Sequence, residues 1–136
     1  MVDELILCEE PLDEASLRAR VGGEEDGAVV SFAGVVRRRE GETSLRGIDY
    51  EAYAPMARKA LEKILAEGHE RWGPFQAVVA HRTGEVAVGE SSVVIVVATG
   101  HRGEAFTICR WLIDELKARV PIWKREHLPL EAPHRP

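Results

Sequence analysis

Lys117, Arg119, Lys124 and Arg125 fall within nine residues, around Pro121 and Trp123. Amines and guanidinium groups at that density suit an anionic ligand, or a reaction in which a lysine passes a proton or attacks an acyl carbon. A merely solvated charge run needs neither Pro121, which fixes its own backbone angle, nor Trp123, whose apolar body favours burial. The segment reads as a helix end followed by a short extended piece holding its cations in defined places. The plainer alternative is a basic helix C-terminus that complements the dipole, followed by an edge strand. Trp123 could anchor a partner or fill a core. The nearby proline favours a mostly buried ring that positions Lys124.

A second constellation is Thr99-Gly100-His101-Arg102-Gly103. At a helix N-terminus the free backbone N–H groups, with His101 and Arg102 beside them, make a site for phosphate or carboxylate. The alternative is a capping loop with solvated side chains. Arg37, Arg38 and Arg39 end a strand, where alternation puts Arg37 and Arg39 on one side and Arg38 on the other. Other chemistry finds no support. There is no nucleophile elbow, P-loop or dinucleotide fingerprint. His69 and His81 lack metal-ligand spacing, so neither a metal nor a cofactor is expected. Glu85 and Glu90 read as solvated turn residues, and Trp72 and Trp111 as packing residues.

The elements that must position these groups alternate along the chain. Apolar runs predict strands over Leu5–Leu7, Gly27–Val36, Leu45–Tyr53, Phe75–His81 and Ser91–Thr99. Gly27–Val36 is apolar enough for burial on both faces, and Ser91–Thr99 is the most buried of all. Helices are predicted over Pro11–Arg20, Pro55–Arg71 and Gly103–Ala118. Ala57, Leu61, Ile64 and Leu65 form one apolar stripe, and Ala105, Ile108, Cys109, Leu112, Ile113 and Leu116 another. Cys109 is therefore a small core residue, not a nucleophile. Residues 37–44 read as a polar mobile loop, 83–90 as a turn-rich excursion, and the stretch from Leu128 as a loosely ordered tail.

Composition bounds the class. The 136 residues, 45% hydrophobic and 30% charged, predict one soluble globular domain. The run Val93–Ala98 is too short to span a bilayer. The acidic start carries no secretory signal, and Cys8 and Cys109 belong to no CxxC pair, so a cytoplasmic protein is expected. Of the net charge of −5, residues 1–26 hold nine acidic and two basic side chains. That leaves no broad basic face for nucleic acid, but room for one cationic pocket.

In order along the chain, these residues resemble the large, catalytic subunit family of molybdopterin synthase. The matching segments are Asp26–Arg37, Leu45–Tyr53 with Pro55-Met56, His81–Glu85, His101-Arg102 and Leu116–Glu126. The last is the most specific. Two features depart from the pattern: Val35 stands where lysine is frequent, and the Pro-rich segment after Glu126 is short.

The resemblance implies an α+β fold of α/β-hammerhead type, with a mixed, mostly antiparallel sheet and packed helices. It implies sulfur transfer to cyclic pyranopterin monophosphate from the thiocarboxylated C-terminal glycine of a small ubiquitin-like carrier subunit. Lys117 and Lys124 map onto the catalytic lysines. Arg37, His101, Arg102, Arg125 and Glu126, with both lysines, map onto the substrate-binding positions. A homodimer at the centre of a heterotetramer would carry one carrier at each end. A non-catalytic anion- or nucleotide-binding regulatory module, built on His101-Arg102, is the competing reading.

Overall fold

The structure is a computed structural model that describes residues 3–130. Its elements, in order, are β1 (Asp3–Cys8), α1 (Glu14–Arg18), β2 (Ala28–Val35), β3 (Arg39–Glu40), β4 (Thr43–Ala52), α2 (Ala54–Trp72), β5 (Gln76–Arg82), β6 (Gly84–Ala87), β7 (Ser91–Thr99), α3 (Arg102–Arg119) and β8 (Ile122–Pro129). The architecture is α+β, with two sheets in place of the one expected.

The first sheet runs β1-β5-β7-β2; β1–β5 is parallel and the other pairs are antiparallel. β5 and β7 take the centre because both their faces are apolar. Ala77, Val79, Val93, Ile95 and Val97 face the helix layer of α2 and α3. Val78, Ala80, Val94, Val96 and Ala98 pack with Leu17 and Val21 on the other side. Each fully buried valine or isoleucine contributes about 1.5–3 kcal/mol. β2 departs from expectation: Ser31 and Val35 are exposed and its other residues only half-buried, because it is an edge strand.

Both helix stripes are buried as their spacing predicts. The helices approach closely at Gly68, where a Cβ would stand 3.1 Å from both Phe75 and Trp111. Trp72 and Trp111 meet edge to face, with centroids 5.1 Å apart. Burial pushes the Cys109 thiol up to about 11, as suits an inert core residue. Helix α1 is shorter than Pro11–Arg20. Asp13 Oδ1 accepts the N–H groups of Ala15 at 3.0 Å and Ser16 at 3.4 Å, so the cap sets the start and leaves Pro11 outside.

The second sheet is built on β4, which pairs antiparallel with β3, β6 and β8. It corrects three expectations. Residues 37–44 contain a hairpin, with Glu40 opposite Thr43 and Arg39 opposite Ser44 across a turn that uses Gly41 at φ +60°. Residues 83–90 contain β6, whose only buried residue is Val86. The tail read from Leu128 begins inside β8, with Leu128 buried against the sheet; residues 131–136 lie outside the described range. Val36, Leu45, Ile48 and Val86 make this sheet's small core.

Candidate active site

Arg37 follows β2, Lys117 closes α3 and Lys124 stands on β8. Together they line one cleft of about 230 Å³, with Phe32, Val93, Tyr50 and Glu40 among its walls. Phe32 and Val93 belong to the first sheet and Tyr50 to the second, so the cleft lies where the two sheets meet.

Each lysine has a local cause for its place. Two residues after Lys117, Arg119 donates to both oxygens of Glu67 on α2 at 2.7 and 2.8 Å, and to Glu115 at 2.9 Å. This fork ties the last turn of α3 to α2, and it holds the Glu67 carboxyl below its usual range. Lys124 is placed by a β-bulge. Asp49 pairs with Glu126 and Tyr50 with Lys124, so Arg125 is the extra residue. A bulge resets alternation, and Lys124 and His127, three positions apart, both come to Glu40 Oε1, at 3.0 and 3.9 Å. Glu40 Oε2 lies 3.9 Å from Arg37. The hydrogen bond from Lys124, and then its charge, hold the Glu40 carboxyl below the ordinary range.

The density of cations along the sequence does not become crowding in space. Both lysines are exposed in the single chain. Arg119 is spent on Glu67, and Arg125 turns to Asp49 at 3.7 Å and Glu51 at 3.9 Å. Among the described residues, Lys117 pairs with no carboxylate. Trp123 is 45% exposed, against the expectation of a buried ring. Its neighbour Ile122 packs into the helix-side core, and alternation then turns Trp123 outward.

Behind the cleft lies His81, 6% exposed and paired across the sheet with Val93. Its Nδ1 is 2.7 Å from the Arg82 carbonyl, which can only accept, so that nitrogen carries the proton. The ring meets Tyr50 edge to face at 5.2 Å. Burial first, and the charge of Lys117 after the opposing carbonyl, lower its pKa. Arg82 is itself buried; it donates to Glu90 at 3.0 Å and to the Glu9 carbonyl at 2.9 Å, so Glu90, exposed in its turn as expected, is also an ion-pair partner.

His101 and Arg102 are exposed at the other end of α3. Fifteen residues of helix separate Arg102 from Lys117, about 22 Å at 1.5 Å per residue. A cavity of about 690 Å³ adjoins that end at Gly100 but is lined by Glu24, Glu25 and Asp26, groups that repel an anion. Arg125 and Glu126 do not line the lysine cleft. Two of its walls escaped sequence reasoning. Tyr50 could have been found from the alternation of β4; Glu40 had no local signal. Among the described residues there is no cluster of three or more metal-ligating side chains, and no helix long and apolar enough to cross a membrane.

The family model described as MoaE protein matches residues 7–119. The molybdopterin synthase catalytic subunit of Pyrococcus abyssi is 43% identical over 108 residues, 79% of this chain and 73% of the relative. That of Thermoplasma volcanium is 38% identical over 122 residues, 90% of this chain and 89% of the relative. The crystal structure of molybdopterin synthase from Staphylococcus aureus superposes with a TM-score of 0.85 at 34% identity, covering 94% of this chain and 92% of the other. A chain from the complex of subunits 1 and 2 of molybdopterin-converting factor of Helicobacter pylori shares the fold, with a TM-score of 0.73 at 23% identity, over 100% of this chain and 94% of the other. With a family match across most of its length and relatives at this identity, the chain belongs to the MoaE family, whose curated members here are molybdopterin synthase catalytic subunits.

Proposed function

We propose that the cleft of Arg37, Lys117 and Lys124 carries out sulfur transfer to cyclic pyranopterin monophosphate, building the dithiolene of molybdopterin. The donor is the thiocarboxylated C-terminal glycine of a small ubiquitin-like carrier. One observation carries the reading: two lysines and an arginine from three separate elements converge on one cleft. Both reactants are anions, so each brings a charge that such a cleft attracts. The ammonium groups of Lys117 and Lys124 can steady the oxyanion that develops at the acyl carbon and move protons between donor and acceptor. Arg37 offers a planar donor pair to phosphate.

A regulatory module built on His101-Arg102 would need that end of α3 to be cationic on its own. The carboxylate-lined cavity beside it argues against this reading. His101 and Arg102 serve the lysine cleft if a second copy supplies them, since 22 Å of helix keeps them from it within one chain. The reading therefore includes a homodimer, with Phe106, 62% exposed one turn into α3, as an apolar contact beside these residues. The carrier docks where Trp123 and Tyr53 are exposed next to Arg125, at the mouth through which an extended glycine tail reaches Lys124. Unpaired Cys8 and Cys109 suit the cytoplasm.

The test is to incubate the protein with the pterin precursor and thiocarboxylated carrier and measure dithiolene product. No product would overturn the assignment. A carrier lacking its last two glycines should still bind but give no turnover. Complete loss of binding would move the affinity from the docking face to the tail.

A further inference from the structure

Glu40 is the only carboxylate among the residues lining the lysine cleft, and it meets two of the three cations there, Arg37 and Lys124 but not Lys117. Its Oε1 is 3.0 Å from Lys124 and 3.9 Å from His127, and its Oε2 is 3.9 Å from Arg37. An anionic ligand entering the cleft finds these donors already engaged. We infer that Glu40 is an internal counter-ion, a specificity-determining residue that occupies the anion position of the cleft and must be displaced when substrate binds. The inference rests on the assignment of this cleft as the substrate site.

The local architecture permits such an exchange. Glu40 sits near the tip of a short hairpin, paired at Arg39–Ser44 and Glu40–Thr43 and closed at its base by the Leu45 N–H donating to the Arg38 carbonyl at 2.6 Å. The turn is tight, and nothing lies within 4 Å of the place where a Cβ on Gly41 would stand. The tip that carries Glu40 therefore has room to move while the base stays anchored at the buried Val36 and Leu45. Displacement also keeps the charge balanced, since one anion leaves Lys124 and Arg37 as another arrives. Glu40 also masks the charge of Lys124 and Arg37 from stray anions. A ligand must outcompete a tethered carboxylate, which favours one that brings more than a single weak contact.

The competition has a measurable cost in affinity. If the open hairpin is a minor population, the apparent dissociation constant is raised by the inverse of that fraction. Pairs as exposed as these restrain the hairpin only modestly, so the factor should be about three- to tenfold. The anion that replaces Glu40 could be the phosphate of the pterin or the C-terminal carboxyl of the carrier tail. Two probes separate them: inorganic phosphate, and a short peptide ending in Gly-Gly.

Binding of each probe is measured by calorimetry or NMR titration to the full chain and to Glu40→Gln, Glu40→Asp and Lys124→Ala. Glu40→Gln should tighten one probe by at least about threefold, and the probe that gains identifies the displacing ligand. Glu40→Asp, one methylene shorter, should fall between Gln and the native residue. An unchanged or weaker affinity for both probes in Glu40→Gln overturns the inference. Lys124→Ala tells which idea has failed. If the native chain binds a probe and Lys124→Ala loses it, the cleft remains the anion site and only the counter-ion role is wrong. If neither the native chain nor Glu40→Gln binds either probe, the site assignment falls as well.

Discussion

Arg119 grips both oxygens of Glu67 at 2.7 and 2.8 Å, so the cationic segment that ends α3 is anchored by one of its own cations. The four positive charges between Lys117 and Arg125 are thus divided by task. Arg119 fastens the helix end, Arg125 faces Asp49 and Glu51, Lys124 meets Glu40, and Lys117 alone stands without a carboxylate among the described residues.

If Arg119 and Glu67 act as one device, Arg119→Ala and Glu67→Gln should each lower the thermal midpoint, and the double variant should fall little below the worse single one. Calorimetry on the four proteins closes the cycle. Fully additive losses would mean that the fork is not a stabilising unit. Arg119→Lys should restore only part of the loss, because an ammonium cannot make the paired contact.

Replacement of Lys117 or Lys124 by alanine should lower turnover by at least about a hundredfold, the scale of a positioned acid–base group. Folding should hardly change, since both side chains are exposed. Arginine at either position should fail to rescue, because it keeps the charge but does not give up a proton. Near-normal turnover by Lys124→Ala would remove it from the chemistry.

How much of this was legible in the sequence depends on the range over which each feature is encoded. The stripes of α2 and α3 were readable because a 3.6-residue period is a local pattern, and the buried residues are the expected ones with Gly68 of α2 added. β5 and β7 were readable as continuous apolar runs. The strands β3 and β6 were not, because two and four residues with a single buried side chain leave no alternation to detect. Density and spacing marked out the cationic segment, and the resemblance singled out Lys117 and Lys124 within it. The partner of Lys124, Glu40, was not legible, because a hairpin and a bulge in another strand bring it there, and neither register is written in the residues around it. Trp123 was misread for a related reason: its side is decided by Ile122, which the helix layer captures.

His81 gives a pH dependence of known sign. Its folded-state pKa is depressed, first by burial and then by the charge of Lys117 on α3; the other groups facing it are Tyr50 of β4 and the Arg82 carbonyl of its own strand. The unfolded chain therefore takes up this proton first as pH falls. Its contribution to stability is complete above the ordinary histidine value of about 6.5 and is lost as pH drops through the folded value. The slope from one such group is at most about 1.4 kcal/mol per pH unit. Denaturant midpoints between pH 5 and 7.5 should fall more steeply for the native chain than for His81→Phe. Parallel curves would assign the dependence elsewhere.

The separation of Arg102 from Lys117 makes the shared-site reading testable by complementation. Arg102→Ala and Lys117→Ala should each be nearly inactive as homodimers, because every site lacks one group. If a site takes its lysines from one copy and His101-Arg102 from the other, a mixed dimer holds one doubly damaged site and one intact site. Random pairing of equal amounts makes half of the dimers mixed, so about a quarter of native activity should return. The two proteins must be co-expressed, or unfolded and refolded together, so that subunits exchange. A Lys117→Ala and Lys124→Ala mixture is the control, since both changes fall in the same copy's half of the site and no pairing rebuilds one. Recovery in the first mixture and not in the second places the substrate between two copies. No recovery in either, with dimers formed, would mean that His101-Arg102 acts on something other than the lysine cleft.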